Sequence, residues 1–273
     1  MKRKQMIRNG VLAIVLFVLG CMVCFPFFWM ILSSFKTNLE IGQSIPTFLP
    51  QKPTTDNYSN LFRDMQFGLY LKNTLLITAY SFVGVLFNAM AGYGFAKFNF
   101  KGKNVFFVLV LCTLMIPSQV TMIPIYVIMN QLKLINTFTG IVLPTLVSGF
   151  NIFLFRQFIS TISDDFLEAA KIDGAGQTYI FSKIIMPLTK PILSLQIILT
   201  FISGWNSFLW PLIMSNDDSH YTLSVGLALM QNANSLDFGL LMAGATIMII
   251  PVLIIYAIFQ KQIIKGISLS SYK

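Results

Sequence analysis

Six stretches of this chain carry no Asp, Glu, Lys or Arg: 11–32, 73–93, 105–129, 138–155, 191–214 and 238–259. A helix needs about 20 consecutive apolar residues to cross the hydrocarbon core of a bilayer, because each residue advances it only about 1.5 Å. Five of the blocks meet that length, and the fourth lies near its lower limit. Charged residues make up 11% of the 273 positions and mean hydropathy is +0.73, against about 25% charged residues in a soluble domain. The rival reading is a set of core helices in a large soluble protein, and six uncharged blocks in one chain argue against it. The expectation is an all-α integral membrane protein with six transmembrane helices, forming a single domain over 1–273.

The net charge of +9 could suggest a nucleic-acid partner, but its placement has a simpler explanation. With a cytoplasmic N-terminus, Lys2, Arg3, Lys4 and Arg8 lie inside, as do Lys97, Lys101 and Lys103 after the second block. Arg156, Lys171, Lys183 and Lys190 follow the fourth block, and Lys261, Lys265 and Lys273 form the tail. Only Lys36, Lys52, Arg63, Lys72 and Lys133 fall outside. Cytoplasmic loops carry the Lys/Arg excess, so both termini read as cytoplasmic and the chain as a multi-pass protein of the cell membrane, with lipid and not nucleic acid around it. The first block is longer than the roughly 7–15 apolar residues of a signal peptide. No small-residue cleavage site follows Leu32, so the block reads as a retained helix. Cys21, Cys24 and Cys112 sit inside apolar blocks with no His nearby, which favours buried structural thiols over a metal or redox pair.

Between the blocks, 33–72 reads as an irregular outer loop with one short helix near 58–65, and 215–237 as a second outer loop with Asp217, Asp218 and the only histidine, His220. Pro26, Pro117, Pro124, Pro211 and Pro251 mark helices that are not straight, either as packing kinks or as breaks beside a cavity. No Gly-x4-Gly-Lys-Ser/Thr is present, so ATP has no P-loop to bind here. The expected chain is therefore not an enzyme and binds no cofactor or metal of its own.

The inner stretch 160–190 differs from the other connections in being polar and helical in pattern. Asp165 reads as an N-cap with Glu168 completing a capping box, Asp173-Gly174 as a helix stop, and Gln177 or Thr178 as a second helix start. Tyr179, Ile180 and Ile184 fall on one apolar face, and Pro187 separates this element from the fifth block.

Glu168-Ala169-Ala170, three residues, Gly174, nine residues, then Ile184-Ile185-Met186-Pro187 resembles the EAA loop of ATP-binding-cassette (ABC) importer permeases, with Met186 at its leucine position. The resemblance implies that Glu168, Ala169, Ala170, Asp173, Gly174, Ile184 and Pro187 couple the chain to an ATP-hydrolysing subunit. Small Ala169 and Ala170 would allow close approach, and Glu168 would meet a basic partner. The run 91–98 with Gly102-Lys103, the turn 123–126 with 134–137, and Trp205-Asn206-Ser207-Phe208-Leu209-Trp210-Pro211 are similar to the corresponding parts of carbohydrate permeases, chiefly the second, six-helix subunit of maltose-type importers. That likeness implies a homologous sister permease, two ATPase subunits holding ATP and Mg, an extracellular solute-binding protein, and a sugar as cargo. It also implies a C-terminal tail reaching the ATPase; Lys265-Gly266-Ile267-Ser268-Leu269 fits, while 270–273 lack the family's glycines.

No block contains an ionisable residue, which argues against proton or ion coupling and for a neutral cargo. Asn88, Gln119, Asn151, Gln196, Trp205 and Asn206 are the polar and aromatic residues at membrane depth that could meet a sugar; amides commonly serve helix–helix hydrogen bonds instead. The alternatives to a sugar importer are an ABC permease for another small solute and a secondary carrier, which would need a titratable relay.

Overall fold

The computed structural model describes residues 2–233 and 237–270, and every regular element among them is helical. In chain order these are α1 (Lys2–Ser33), α2 (Asn38–Ile41), α3 (Asp56–Asp64), α4 (Phe67–Lys97), α5 (Lys103–Thr113), α6 (Ser118–Gln131), α7 (Phe138–Val142), α8 (Gly149–Ile159), α9 (Asp165–Ile172), α10 (Gln177–Tyr179), α11 (Met186–Leu188), α12 (Lys190–Trp205), α13 (Leu209–Met214), α14 (Leu223–Ala233) and α15 (Phe238–Ser270). A π-helical segment, Ile180–Ile185, joins α10 to α11. Among the described residues, Arg8–Ser33 of α1, the whole of α4, and Phe238–Gln260 of α15 are each long and apolar enough to span a bilayer. Three bent helix pairs also qualify, so the spans number three to six.

Prolines account for much of the bending. The block 105–129 reads as one helix, yet the chain turns by 102° between α5 and α6. Pro117 sits at the cap of α6 with ψ 133°; it lacks an N–H and its ring pushes Ile116 out of the helical region. The block 138–155 is interrupted by a 3-10 turn, Leu143–Thr145, and bends by 48°. The block 191–214 ends its first helix at Trp205 and resumes at Leu209. Pro211 cannot donate to the carbonyl of Ser207, which instead accepts the hydroxyl of Thr222 at 2.7 Å. Pro26, Pro124 and Pro251 remain inside α1, α6 and α15.

Two connections are more ordered than their sequence suggests. The segment 215–237, read as a loop, contains α14; its eleven residues are too few to span a membrane but enough for a packed helix. Thr222, fully buried, accepts the N–H of Val225, and the N–H of Leu223 donates to Thr74 at 2.9 Å. The segment 33–72 has the irregular backbone expected over 42–55 and a short helix, α3, near the expected place; α2 and the contacts described below add order to it.

The chain forms two compact units. One comprises Met1–Phe67 and Gly226–Pro251. Here Lys36 is buried: its ammonium donates to the carbonyl of Thr47 and lies 4.6 Å from the Trp29 ring centroid. Asn57 donates to the carbonyls of Ser34 and Lys36, both at 2.8 Å, and Glu40 accepts from Thr47 and from the N–H of Gln51.

The other unit comprises Gly68–Val225 and Val252–Lys273. One of its apolar clusters joins Ala89 and Tyr93 of α4 to Phe155 and Ile159 of α8, Leu167 and Ala170 of α9, and Ile180, Ile185 and Ile192. A second joins Ile77, Met129, Ile141, Val142 and Met214.

Cys21, Cys24 and Cys112 are exposed, which corrects their reading as buried thiols. The helix faces that carry them are apolar, but the chain itself does not cover them. The expected reach of the C-terminal tail turns on the side chains of 261–270 and on residues 271–273, which lie outside the described residues.

Candidate functional site

Three breaks in the second unit's helices, at 114–117, 146–148 and 206–208, border one cleft of about 670 Å³. Its walls come from Ser81, Gly84 and Asn88 of α4, the α5–α6 corner at 113–121, the interrupted stretch 144–151, Leu199, Thr200 and Ser203 of α12, and Trp210 just past the Asn206–Phe208 gap. Non-helical backbone at membrane depth is tolerated where it lines a cavity, because the freed N–H and C=O groups then find partners. The volume falls within the roughly 300–1,000 Å³ of small-molecule sites.

Polar groups line the cleft, and none of its described lining residues is ionisable. Hydroxyls come from Ser81, Thr113, Ser118, Thr121, Thr145, Ser148, Thr200 and Ser203, amides from Asn88 and Asn151, and an indole from Trp210. Such a surface offers donors, acceptors and one stacking face without a net field. It suits a neutral polyhydroxylated ligand better than an anion, which calls for charge-assisted donors.

The six membrane-depth candidates separate into distinct environments. Asn88 and Asn151 line the cleft. Asn88 is 1% exposed and committed to backbone: it donates to the carbonyls of Gly84 (2.6 Å) and Leu146 (2.9 Å) and accepts the N–H of Ser148 (3.0 Å). Its amide thus closes the break before α8. A methyl group on Gly84 would overlap the Leu146 carbonyl, so only glycine lets the two segments come this close. Gln119 and Asn206 are exposed and do not line the cleft; Gln119 follows the lining residue Ser118, and Asn206 lies between the lining residues Ser203 and Trp210. Trp205 is buried and stacks on Phe201 at 5.8 Å between centroids. Gln196 is fully buried, and neither amide atom has a protein partner.

The lining hydroxyls were not singled out in the sequence. Ser81, Thr113, Thr121 and Thr145 each bond a carbonyl three or four residues earlier, a habit of Ser and Thr in any helix. The one available signal was the recurrence Leu199, Thr200, Ser203 on a single helix face.

The stretch 160–190 forms a hairpin at one end of the same unit. Its helix starts one residue earlier than the sequence suggests: Asp164, not Asp165, holds the cap position, and no side-chain capping box forms. The Asp164 carboxylate is engaged elsewhere. It accepts from Lys97 Nζ at 2.6 Å, and that hydrogen bond and charge hold its carboxyl below the ordinary value. Asp165 instead pairs with Ser163, at 2.7 Å to its hydroxyl.

The turn follows the Asp173-Gly174 reading. Gly174 has φ +80°, the N–H of Ala175 donates to the carbonyl of Ala170 and that of Gly174 to Lys171. This is a Schellman closure, which only glycine enters at little cost. The next face differs from expectation. Because 180–185 is π-helical, Ile180 and Ile185 are both fully buried, while Ile184 is partly buried and Tyr179 is 58% exposed. Pro187 lies within α11, and the 83° corner comes after it, at Thr189.

The seven EAA positions divide between surface and core. Glu168, Ala169, Asp173 and Gly174 are exposed, as is Pro187; Ala170 packs inside the hairpin's own core and Ile184 packs against it. Close approach by Ala170 therefore serves the chain itself. Phe166 and Ile172, which are not among these positions, are 54% and 86% exposed and share a helix face with Ala169. Their spacing was legible; their exposure was not. Tyr93 ties the hairpin to α4, its hydroxyl 3.3 Å from Gln177 and its ring 5.5 Å from Phe181.

Comparison with known proteins adds family context. A family model described as the binding-protein-dependent transport system inner membrane component matches residues 84–269, which include the hairpin and most of the cleft. The arabinooligosaccharides transport system permease protein AraQ of Halalkalibacterium halodurans is 35% identical over 280 residues, covering 100% of both chains. The sn-glycerol-3-phosphate transport system permease protein UgpE of Yersinia pestis is 30% identical over 263 residues, covering 93% of this chain and 94% of its own. A chain in the crystal structure of a bacterial ABC transporter involved in the import of the acidic polysaccharide alginate matches with a TM-score of 0.81 and 27% identity, over 95% of this chain and 97% of that one.

Proposed function

The chain belongs to the family of binding-protein-dependent transport system inner membrane components, and from that premise we infer that it is the permease subunit of an ATP-driven importer for a sugar or oligosaccharide. It is a non-catalytic membrane subunit; ATP is hydrolysed by a separate subunit. The observation that carries the sugar reading is the cleft, whose lining is rich in hydroxyls and amides and free of charge.

In this reading the chain spans the cell membrane six times as one permease domain, with both termini inside. It pairs with a homologous sister permease, two ATPase subunits that hold ATP and Mg, and an external solute-binding protein. The hairpin docks on the ATPase through Phe166, Ala169, Ile172 and Glu168. Asn151, Thr200, Ser203 and Trp210 form this chain's share of the cargo path, with Asn88 shaping its wall and Asn206 and Gln119 at its margin. Trp205 acts through packing.

A phosphorylated cargo is the second reading, since UgpE is named for one. A phosphate would want Arg, Lys or a cluster of N–H donors, and the cleft lining supplies no cation. Uptake of labelled neutral oligosaccharides against sn-glycerol 3-phosphate, in cells lacking and regaining this chain, tests the choice. Restored uptake of a neutral sugar alone is expected; restored uptake of the phosphate alone would overturn the sugar reading.

A further inference from the structure

Gln196 is fully buried, yet its carboxamide oxygen and nitrogen both lack a protein partner. A glutamine amide can make up to four hydrogen bonds, and buried polar atoms are nearly always satisfied, so an orphaned one calls for an explanation. Its place in α12 supplies one. Residues 196, 199, 200 and 203 follow the i, i+3, i+4, i+7 spacing of a single helix stripe. Leu199, Thr200 and Ser203 of that stripe line the cleft, whereas Ile192, one turn before Gln196, packs in the hairpin's apolar cluster. Gln196 therefore sits at the level where the polar cleft gives way to apolar core, on the side of the coupling hairpin.

We propose that Gln196 is an inner cargo subsite: its amide is closed off in the state described here and opens to the cleft as the hairpin end moves, taking a neutral polyhydroxylated ligand passed down from the Thr200–Ser203 level. The proposal rests on the reading of the cleft as the cargo path. An amide presents a donor and an acceptor side by side, which two neighbouring hydroxyls of a sugar can satisfy together. An uncharged residue also suits the position, because a buried charge would need a permanent partner. In the closed state the unsatisfied amide raises the energy of that arrangement, and the opening that lets a ligand satisfy it is correspondingly favoured.

The test uses the whole transporter, purified through a tag on this chain with its partner subunits and reconstituted in liposomes with its external binding protein. Gln196→Leu is expected to lower uptake of a labelled neutral oligosaccharide about tenfold, the scale of one or two lost hydrogen bonds, while ATP hydrolysis falls less, so that cargo moved per ATP drops. Uptake at the normal rate, with unchanged or raised thermal stability, would mean a structural water site only and would overturn the subsite. Asn151→Leu separates this proposal from the reading beneath it. If Asn151→Leu is impaired and Gln196→Leu normal, the inner subsite alone fails; if both transport normally, the cargo cleft fails as well. Should Gln196→Leu not assemble, Gln196→Cys in a background without Cys21, Cys24 and Cys112 answers the same question. Modification by N-ethylmaleimide during ATP-driven transport, absent at rest, supports the subsite, and absence of modification in both states overturns it.

Discussion

Lys97 and Asp164 lie 67 residues apart in sequence and 2.6 Å apart in space, joining the last turn of α4 to the cap of α9. The two ends of this contact differ in burial: the Lys97 side chain is 5% exposed and that of Asp164 71%. Lys97 also donates to the carbonyl of Ile162 at 2.5 Å, so its ammonium clasps the chain at two points just before the hairpin. The contact ties the segment leading into the hairpin to a helix that walls the cleft.

The two partners should not be equivalent on mutation. Lys97→Met loses both contacts and leaves the Ile162 carbonyl without its donor, a bond of the charged class worth about 2 kcal/mol. Asp164→Asn keeps an acceptor and the carbonyl contact. Uptake and ATP hydrolysis measured on the same membranes should show transport per ATP falling severalfold in Lys97→Met and little in Asp164→Asn. Equal losses would show that the carboxylate, not the carbonyl, carries the linkage.

The hairpin's surface and core should separate function from folding. Phe166→Ala and Ile172→Ala remove exposed side chains and should leave the thermal stability of the solubilised chain unchanged while lowering recovery of the ATPase subunit on purification. Leu167→Ala, at a position 5% exposed in the apolar cluster, should cost about 2–5 kcal/mol and reduce the amount of folded protein. Full ATPase recovery by the Phe166→Ala, Ile172→Ala double variant would sink the docking assignment.

Asp217 gives a pH dependence with a definite sign. The Ser219 hydroxyl, followed by the Ser219 N–H, the Asn136 amide and His220, holds its carboxyl below the ordinary 3.8, against the opposing effect of burial. The ionised form is thus favoured by the fold. Its contribution is complete above the unfolded value of about 3.8 and is lost as pH falls through the lower folded value. Asn136, at φ +58°, donates to Asp217 at 3.1 Å and accepts the N–H of Asn216, so the link fastens the turn after α6 to the end of α13. Asp217→Ala should melt a few degrees below the parent at neutral pH, and the gap should close as the pH is taken below the folded value.

Six spans with both termini inside can be tested by thiol labelling from outside intact cells. Ile45→Cys and Asn216→Cys, both at exposed positions, should react with a membrane-impermeant reagent, and Gln177→Cys should not. Asn57 is unsuitable because its amide is buried and holds two carbonyls. Reaction at position 177 would reverse the topology.

Apolar blocks and a spaced motif were legible in the sequence because both are local. Charge-free runs determine where helices can lie in a bilayer, and Gly174 determines where the hairpin turns. What escaped depends on distant partners. Asp164 takes the cap position and gives its carboxylate to Lys97, a pairing that no window around residue 164 reveals. Asn88 and Gln196 look alike as amides in apolar helices, yet one meets backbone from 146 and 148 and the other meets none. The helix Leu223–Ala233 was missed because eleven apolar-rich residues fit neither a span nor a polar loop, and its start depends on Thr74 and Thr222.

The π-helical stretch Ile180–Ile185 has a consequence for chain length. Over these positions the backbone uses one residue more than an α-helix would need to bring the two buried isoleucines onto one face. Removing the exposed Lys183 would turn their i, i+5 relationship into i, i+4 and leave both against the same cluster. A deletion in α9, where no such surplus exists, would swing every later side chain by about 100°. A one-residue deletion at Lys183 is therefore expected to disturb the buried isoleucines less than one in α9, although it shortens the spacing from Gly174 to Ile184.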